Sequence, residues 1–299
     1  MAAINVSHLG PESDAIDVAR RAIEDQLARI QANKAVIHIP HPSGLMKAGP
    51  GQHFHHTPEL FIQLSGYTAF NFPSERLRVL PGAVCVLPRG LPHKEIVGPW
   101  KGPFYNLVFM SDNQQGLFFH LAHETRGKLP HGLIGQNMEW PDMQHAVQHL
   151  DEAVVWHHGH DAGKRWAVHG LIMAHFASLL RVLDNKSHHI HESFKVARAR
   201  QLASTRLADQ DLSVARIAEW LQCNPDYLSH LFHKETGIPL TRYINEQRMT
   251  QARTLLESTP MSIKEIALAS GYSDAGYFAR VFFQTVGTTP TRYRTMLKR

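Results

Sequence analysis

Four side chains able to hold a metal ion or a polar ligand fall within seven residues of the stretch GQHFHHTPELFIQLSG, Gly51 to Gly66: His53, His55, His56 and Glu59. Imidazole nitrogens together with a carboxylate oxygen suit a divalent cation. The same groups can grip a small polar molecule, or hydrogen-bond one another inside the fold. These three chemistries separate an enzyme or a sensor from a structural cluster, and the residue types alone leave all three open.

The surrounding elements decide how such groups are aimed. After Lys34 the chain runs through short apolar segments divided by Gly and Pro: AVIHIP, ELFIQLSG, YTAFNFP, RLRVLPG, AVCVLPRG, KEIVG and FYNLVFM. That rhythm predicts an all-β sandwich or barrel over residues 34–139. Ahead of it, in an extension over 1–33, Ser13 caps a helix with Ile16, Ala19, Ile23, Leu27 and Ile30 on one face. Behind it, over 140–183, one helix carries a stripe of Met143, Ala146, Val147, Leu150 and Val154. A second, WAVHGLIMAHFASLLRVL, is apolar on most of its circumference. Such a helix needs cover, either from the strands and its neighbour or from the same helix of a second subunit. Its most hydrophobic stretch, Trp166 to Leu180, carries two histidines between flanking Lys and Arg; it reads as a buried helix, too short and too polar to span a bilayer.

At 299 residues, 43% apolar and 19% charged, the chain has the composition of a soluble globular protein and the length of two domains. Its net charge of +5 is unevenly spread. Phe194 to Arg299 hold 15 Lys+Arg against 9 Asp+Glu, whereas the first 193 residues hold 16 against 17. The polar run LDNKSHHIHES marks a linker at 184–193, before a basic domain at 194–299. Cys85 and Cys223 form no paired framework, and the start shows no secretory pattern, so a reduced cytoplasm is expected. The histidine runs WHHGH and SHHIH lack an accompanying Cys or carboxylate array and read as solvated.

The basic domain repeats itself. DYLSHLFHKETGIPLTRY, from Asp226, aligns with GYFARVFFQTVGTTPTRY, from Gly276, at an offset of 50 residues; Ile217-Ala218 align with Ile266-Ala267 at 49. Each copy predicts helix, tight turn and helix, over about 213–237 and 262–287. Ser213, Asn224, Ser262 and Asp274 sit as N-caps and Pro225 at a first helical position, with Gly237 at a left-handed C-cap. Leu228, Leu231 and Phe232 form the inward stripe of the first copy, and Tyr277, Phe278, Val281 and Phe282 that of the second. A long amphipathic helix joins the copies, with Tyr243, Ile244, Met249, Ala252, Leu255 and Leu256 on its core side. Two recognition helices held at fixed separation on a basic module can enter successive major-groove segments about 34 Å apart on one face of DNA.

In combination, LFHKETG, RMTQARTLL, IKEIALASGYSD and YFARVFFQTVGTTPTRYR closely resemble the DNA-binding domain of AraC/XylS-type bacterial transcription regulators over roughly the last hundred residues. The resemblance implies a cytoplasmic regulator, more often an activator than a repressor, that binds double-stranded DNA, engages RNA polymerase and dimerises. It implies base contacts from Asp226, Ser229 and His230 in the first recognition helix, and from Ala275, Gly276, Ala279 and Arg280 in the second. Asp226 could accept from a cytosine amine, His230 could donate to a purine, and Arg280 could grip guanine with two hydrogen bonds. Tyr272 stands where this family usually has Phe.

The N-terminal strands resemble a cupin jelly roll in two pieces: His53-x-His55, Glu59 and Gly66, then Pro81-Gly82, Pro88-x-Gly90 and His93. The whole is thus expected to be α+β, with an antiparallel cupin-like barrel followed by helices and an all-α DNA-binding domain. In cupin enzymes the residues equivalent to His53, His55, Glu59 and His93 hold a divalent metal; regulators of the AraC type often use the barrel mouth for a sugar or other polar effector without metal. The resemblance therefore points to an effector site at His53, His55, Glu59 and His93, with Trp100 at its rim, to no resident cofactor and to no enzymatic activity. A divalent metal on the same four residues is kept beside it. Two further readings stand: a cupin metalloenzyme fused to a DNA-binding domain, and a DNA-binding protein whose barrel only dimerises.

Overall fold

The computed structural model describes residues 15–42, 52–55, 57–97, 104–111, 116–124, 132–139, 143–184 and 193–297. The chain forms two compact units, Met1–Phe194 and Lys195–Arg299.

In the first unit, helix α1 (Ala15–Gln31) buries Ala15, Val18, Ala19, Ala22, Ile23 and Ile30. Ser13, the expected N-cap, lies outside the described residues. The strands are β1 (Val36–His38), β2 (Glu59–Ser65), β3 (Thr68–Asn71), β4 (Arg76–Val79), β5 (Ala83–Leu87), β6 (Lys94–Val97), β7 (Phe104–Ser111), β8 (Gly116–Glu124) and β9 (Gly132–Glu139). One sheet has the order β1-β5-β2-β7-β8-β9 and the other β4-β3-β6. All of β5 is buried, as befits a strand covered on both faces.

Two features of the expected barrel are corrected. The described strands form two sheets and no closed barrel, and the pairing is not wholly antiparallel: β1 runs parallel to β5, from Val36 beside Ala83 to His38 beside Cys85. Strand β1 follows α1 after a short turn with Asn33 in the left-handed region, so the docking of α1 sets the direction in which β1 meets its neighbour. Strands β8 and β9 were not among the expected apolar runs. GLIGQNME in β9 has two Gly and a polar second half, so it is carried by its pairing with β8 and not by intrinsic preference.

Helices α2 (Met143–His158) and α3 (Lys164–Asp184) close this core, with Ala146, Leu150 and Ala153 packed among Ile172, Phe176, Leu179 and residues of α1, β2, β5 and β7. His175 Nδ1–H donates to the Ala146 carbonyl at 2.8 Å, and burial lowers its pKa to about 4, so it packs as a neutral ring. At 21 residues α3 is longer than its most apolar stretch and meets the length and hydropathy of a membrane span, but here its Val168, Ile172, Phe176 and Leu179 are core residues.

The second unit opens with α4 (Phe194–Thr205) and then repeats one plan. Helices α5 (Val214–Trp220) and α6 (Pro225–Thr236) make the first helix-turn-helix. Helix α7 (Leu240–Ser258) leads to α8 (Ile263–Ala269) and α9 (Ala275–Val286), the second, and α10 (Pro290–Leu297) follows. The local signals act as their chemistry requires. Ser213 accepts from Arg216 N–H, Asn224 from Asp226 and Tyr227 N–H, and Asp274 from Tyr277 N–H, while Ser262 and Glu265 form a reciprocal capping box. Gly237 and Gly287 end the recognition helices at φ of 76° and 81°. The one-residue difference between the offsets falls in the turns, where Gln222 (φ 50°) and Gly271 (φ 77°) hold equivalent left-handed positions.

Leu228, Phe232, Phe278 and Phe282 are fully buried. Tyr277 is not part of the inward stripe: it is 52% exposed. One residue before Phe278, it is rotated about 100° away from the core axis, and an amphipathic phenol tolerates that position.

The second copy packs against the segment between α4 and α5, which leads into the first. Arg248 on α7 reaches that segment, its Nε–H donating to the Leu207 carbonyl at 3.3 Å and a second nitrogen to the Asp209 carbonyl at 2.7 Å. Its guanidinium carbon lies 5.4 Å from the Tyr272 ring centroid in the second copy. Tyr272 is buried and its hydroxyl has no hydrogen-bond partner among the described residues, the consequence of Tyr at a Phe position. A Cβ on Gly271 would lie 2.2 Å from the Leu207 carbonyl oxygen. Gly271→Ala is therefore expected to destabilise this unit by about 2–4 kcal/mol, from left-handed strain plus overpacking. Gly237→Ala, with a similar φ and nothing within 4 Å of the added carbon, should lose only the strain, about 1 kcal/mol. Urea unfolding of the two variants checks the difference.

Candidate functional site

The recognition helices α6 and α9 bury the same register of residues, and this leaves the same register outward. From Asp226 to Leu240 and from Gly276 to Pro290 the pattern of buried, half-buried and exposed residues is identical at every position. The outward residues include Asp226, His230 and His233 in the first copy, and Gly276, Arg280 and Phe283 in the second, with Ser229 and Ala279 half-buried beside them. Asp226, Ser229, His230, His233 and Pro239 line one open concavity. The structure thus brings together the three expected first-copy residues, and adds His233 and Pro239. His233 follows His230 by three residues, so helical spacing was the signal that could have found it.

In the second copy Ala275 is half-buried and the side chains of Ala275 and Ala279 carry no donor or acceptor. Arg280 carries the polar chemistry of this face, its guanidinium carbon 5.8 Å from the Tyr277 ring centroid. The exposed Tyr277 thus flanks the arginine.

The histidine cluster is built by a different device. His53 and His93 form an isolated antiparallel bridge, each N–H donating to the other's carbonyl at 2.9 and 2.8 Å. Gly90 N–H donates to the His55 carbonyl at 2.7 Å, so the loop before His93 is fastened to the segment before β2. Ring centroids then lie 4.4 Å apart for His53 and His93, 5.0 Å for His53 and His55, and 5.1 Å for His55 and His93. One nitrogen from each ring falls within 4.8 Å of the others. Glu59, the first residue of β2, places Oε2 2.8 Å from His55 Nε2. Burial pushes the Glu59 carboxyl up to about 7 and the His93 imidazole down to about 4, so a neutral His93 is the resting form. His93 Nδ1–H donates to the Leu91 carbonyl at 2.9 Å, which turns the Nε2 lone pair inward. That Nε2 and Glu59 Oε1 are buried with no hydrogen-bond partner among the described residues. Two orphaned acceptors beside converging imidazoles fit a cation or a donor-bearing ligand. Phe70 and Phe72 stand by His93, with centroids 6.1 and 6.4 Å away, and make an apolar wall that sequence spacing did not mark. Trp100 and His56 lie outside the described residues.

Comparison with known proteins addresses the C-terminal unit. A helix-turn-helix domain family model matches residues 217–296. The arabinose operon regulatory protein of Escherichia coli is 36% identical over 118 residues, which is 39% of this chain and 40% of that protein. The chain carries an AraC-type helix-turn-helix domain. The AraC-type domain is also 34% identical over 86 residues to the transcriptional activator RhaR of Mannheimia succiniciproducens, covering 29% of this chain and 31% of that one. Among solved structures, the C-terminal domain of AraT, a response regulator from Geobacillus stearothermophilus, is 36% identical, with 35% of this chain and 86% of that chain covered and a TM-score of 0.34. The chain thus spans about two fifths of the length of the first curated relatives it matches.

Proposed function

We propose that this protein is a sequence-specific, DNA-binding transcription regulator, an activator responding to a small polar effector held in its N-terminal unit. The observation that carries this is the identical outward register of α6 and α9, which presents Asp226, Ser229 and His230, and then Ala275, Gly276, Ala279 and Arg280, as two reading surfaces on one basic unit. Two relatives are by name an arabinose operon regulatory protein and a transcriptional activator, which supports a regulatory role over an enzymatic one; a cytoplasmic location and RNA polymerase as a partner belong to the same proposal. The expected boundaries follow: extension 1–33, cupin-like sensing domain 34–139, helical dimerisation segment 140–183, linker 184–193 and DNA-binding domain 194–299. The two sheets stand as the halves of a jelly roll. Val155 and Trp166, each 73% exposed near the α2–α3 turn, support a homodimer contact on that helical pair.

Effector binding would act by preferring one arrangement of two such DNA-binding units over another, which requires differential affinity for the two states. Arg89 links the cluster to the helices: it lies in the loop fastened to His55, and its Nε–H donates to Asp151 on α2 at 2.9 Å.

A second reading of the histidine cluster rests on the orphaned Glu59 Oε1 and His93 Nε2: His53, His55, Glu59 and His93 hold a divalent cation that completes the effector site. Protein purified without chelator or metal-affinity resin is then expected to contain about one equivalent of iron, manganese, zinc or nickel, lost in His55→Ala and Glu59→Ala. Absence of metal from folded wild type returns the quartet to direct effector binding; metal accompanied by turnover of a small substrate would favour the enzyme alternative.

The DNA reading is tested by selecting bound sequences from a random pool and measuring affinity at several salt concentrations. Arg280→Ala is expected to cost about 1–3 kcal/mol on the selected site and to relax preference at one guanine. A uniform loss on every sequence, with a salt slope smaller by about one, would instead make Arg280 a phosphate contact.

A further inference from the structure

The geometry points to Phe283 as a specificity-determining residue that reads thymine through its C5-methyl group in the DNA segment facing α9. This rests on the DNA-binding reading and assigns chemistry to a residue that reading leaves unused.

A single exposed aromatic is ordinary on a protein surface. Phe283 differs in where it stands. At the 50-residue offset it is the equivalent of His233, and His233 lines the same concavity as Asp226, Ser229 and His230. The register of exposure around the two positions is identical, so the outward surface of α9 runs through Gly276, Ala279, Arg280 and Phe283 at i, i+3, i+4 and i+7. Phe282 beside it is fully buried, whereas Phe283 is 53% exposed, so the ring contributes little to the core.

The rest of the stripe gives the ring its role. Ala275, Gly276 and Ala279 have no polar side-chain atoms, and a Cβ on Gly276 would meet only the Asp274 side chain, at 3.2 Å. A face of such small residues lets the helix axis approach the groove floor closely. Arg280, beside Tyr277, is the side chain on it suited to gripping a guanine edge. One turn further along, a phenyl ring can offer only apolar contact, and the apolar group displayed in the major groove is the thymine methyl. The two copies would then read differently: α6 by hydrogen bonds from Asp226, Ser229 and His230, and α9 by one arginine plus methyl recognition.

The test uses the full chain and its selected DNA site, with each thymine replaced in turn by deoxyuridine, which removes the methyl and keeps every hydrogen-bonding atom. The segment facing α9 is identified as the one where Arg280→Ala relaxes guanine preference. In wild type, loss of the methyl at one or two thymines there is expected to weaken binding about fourfold, the worth of one buried methyl group. In Phe283→Ala that sensitivity should vanish at the same thymines, and sensitivity elsewhere should stay. Half-exposed Phe283 can be replaced without opening the core, and urea unfolding of the variant verifies this. If Phe283→Ala leaves every methyl effect unchanged, or if wild type shows none in that segment, the assignment is overturned while DNA binding stands. If wild type selects no DNA sequence, the DNA-binding reading itself fails.

Discussion

The C-terminal unit depends on one close approach of backbone to backbone. The left-handed turn at Gly271 packs against the Leu207 carbonyl at a distance that admits no side chain, and Arg248 spans the contact with hydrogen bonds to the Leu207 and Asp209 carbonyls and its guanidinium on Tyr272. Helix α7 alone would join the two helix-turn-helix copies as a rod with hinges at its ends. With its middle fastened to the segment that leads into the first copy, and its Arg248 guanidinium against Tyr272 of the second, the separation and the phase of α6 and α9 become properties of the folded unit. Two-segment reading of DNA needs that, because a recognition helix misplaced by a fraction of a helical turn meets phosphate instead of base edges.

In the N-terminal unit the governing constraint is the placement of polar groups in an apolar surrounding. A buried carboxyl raised towards neutrality and a buried imidazole lowered away from its charged form both signal desolvation not fully offset by neighbours. Glu59 and His93 each spend one side-chain atom on a bond within the fold and leave another facing the cluster. Those orphaned atoms fit a ligand or ion able to supply the remaining interactions. The loop that carries His93 also carries Arg89, whose Nε–H donates to Asp151 on α2.

What was legible in the sequence was mostly local. Caps at Ser213, Asn224, Ser262 and Asp274 need only the next three residues, and the Phe and Leu stripes of α6 and α9 need one helix turn, so both were read correctly apart from Tyr277. The exception is instructive: Tyr fits the apolar pattern, but its hydroxyl makes a half-exposed position acceptable. The strands from Lys34 to Ser111 were visible by their alternation and punctuation, while β8 and β9 were not; the polar β9 draws its stability from its pairing with β8. Sheet order, the parallel β1–β5 pair and the meeting of His53 with His93 depend on contacts between distant segments. Arg248 showed nothing in sequence beyond one more basic residue on an amphipathic helix, and only its contacts reveal it as a fastener.

Hydroxyl-radical footprinting of the full chain on its selected DNA site tests the central claim most directly. Two protected segments, on one face of the duplex and about one helical turn apart, are predicted from a single C-terminal unit. A single protected segment per unit, or two whose spacing varies freely from site to site, would contradict a rigid pair of reading surfaces.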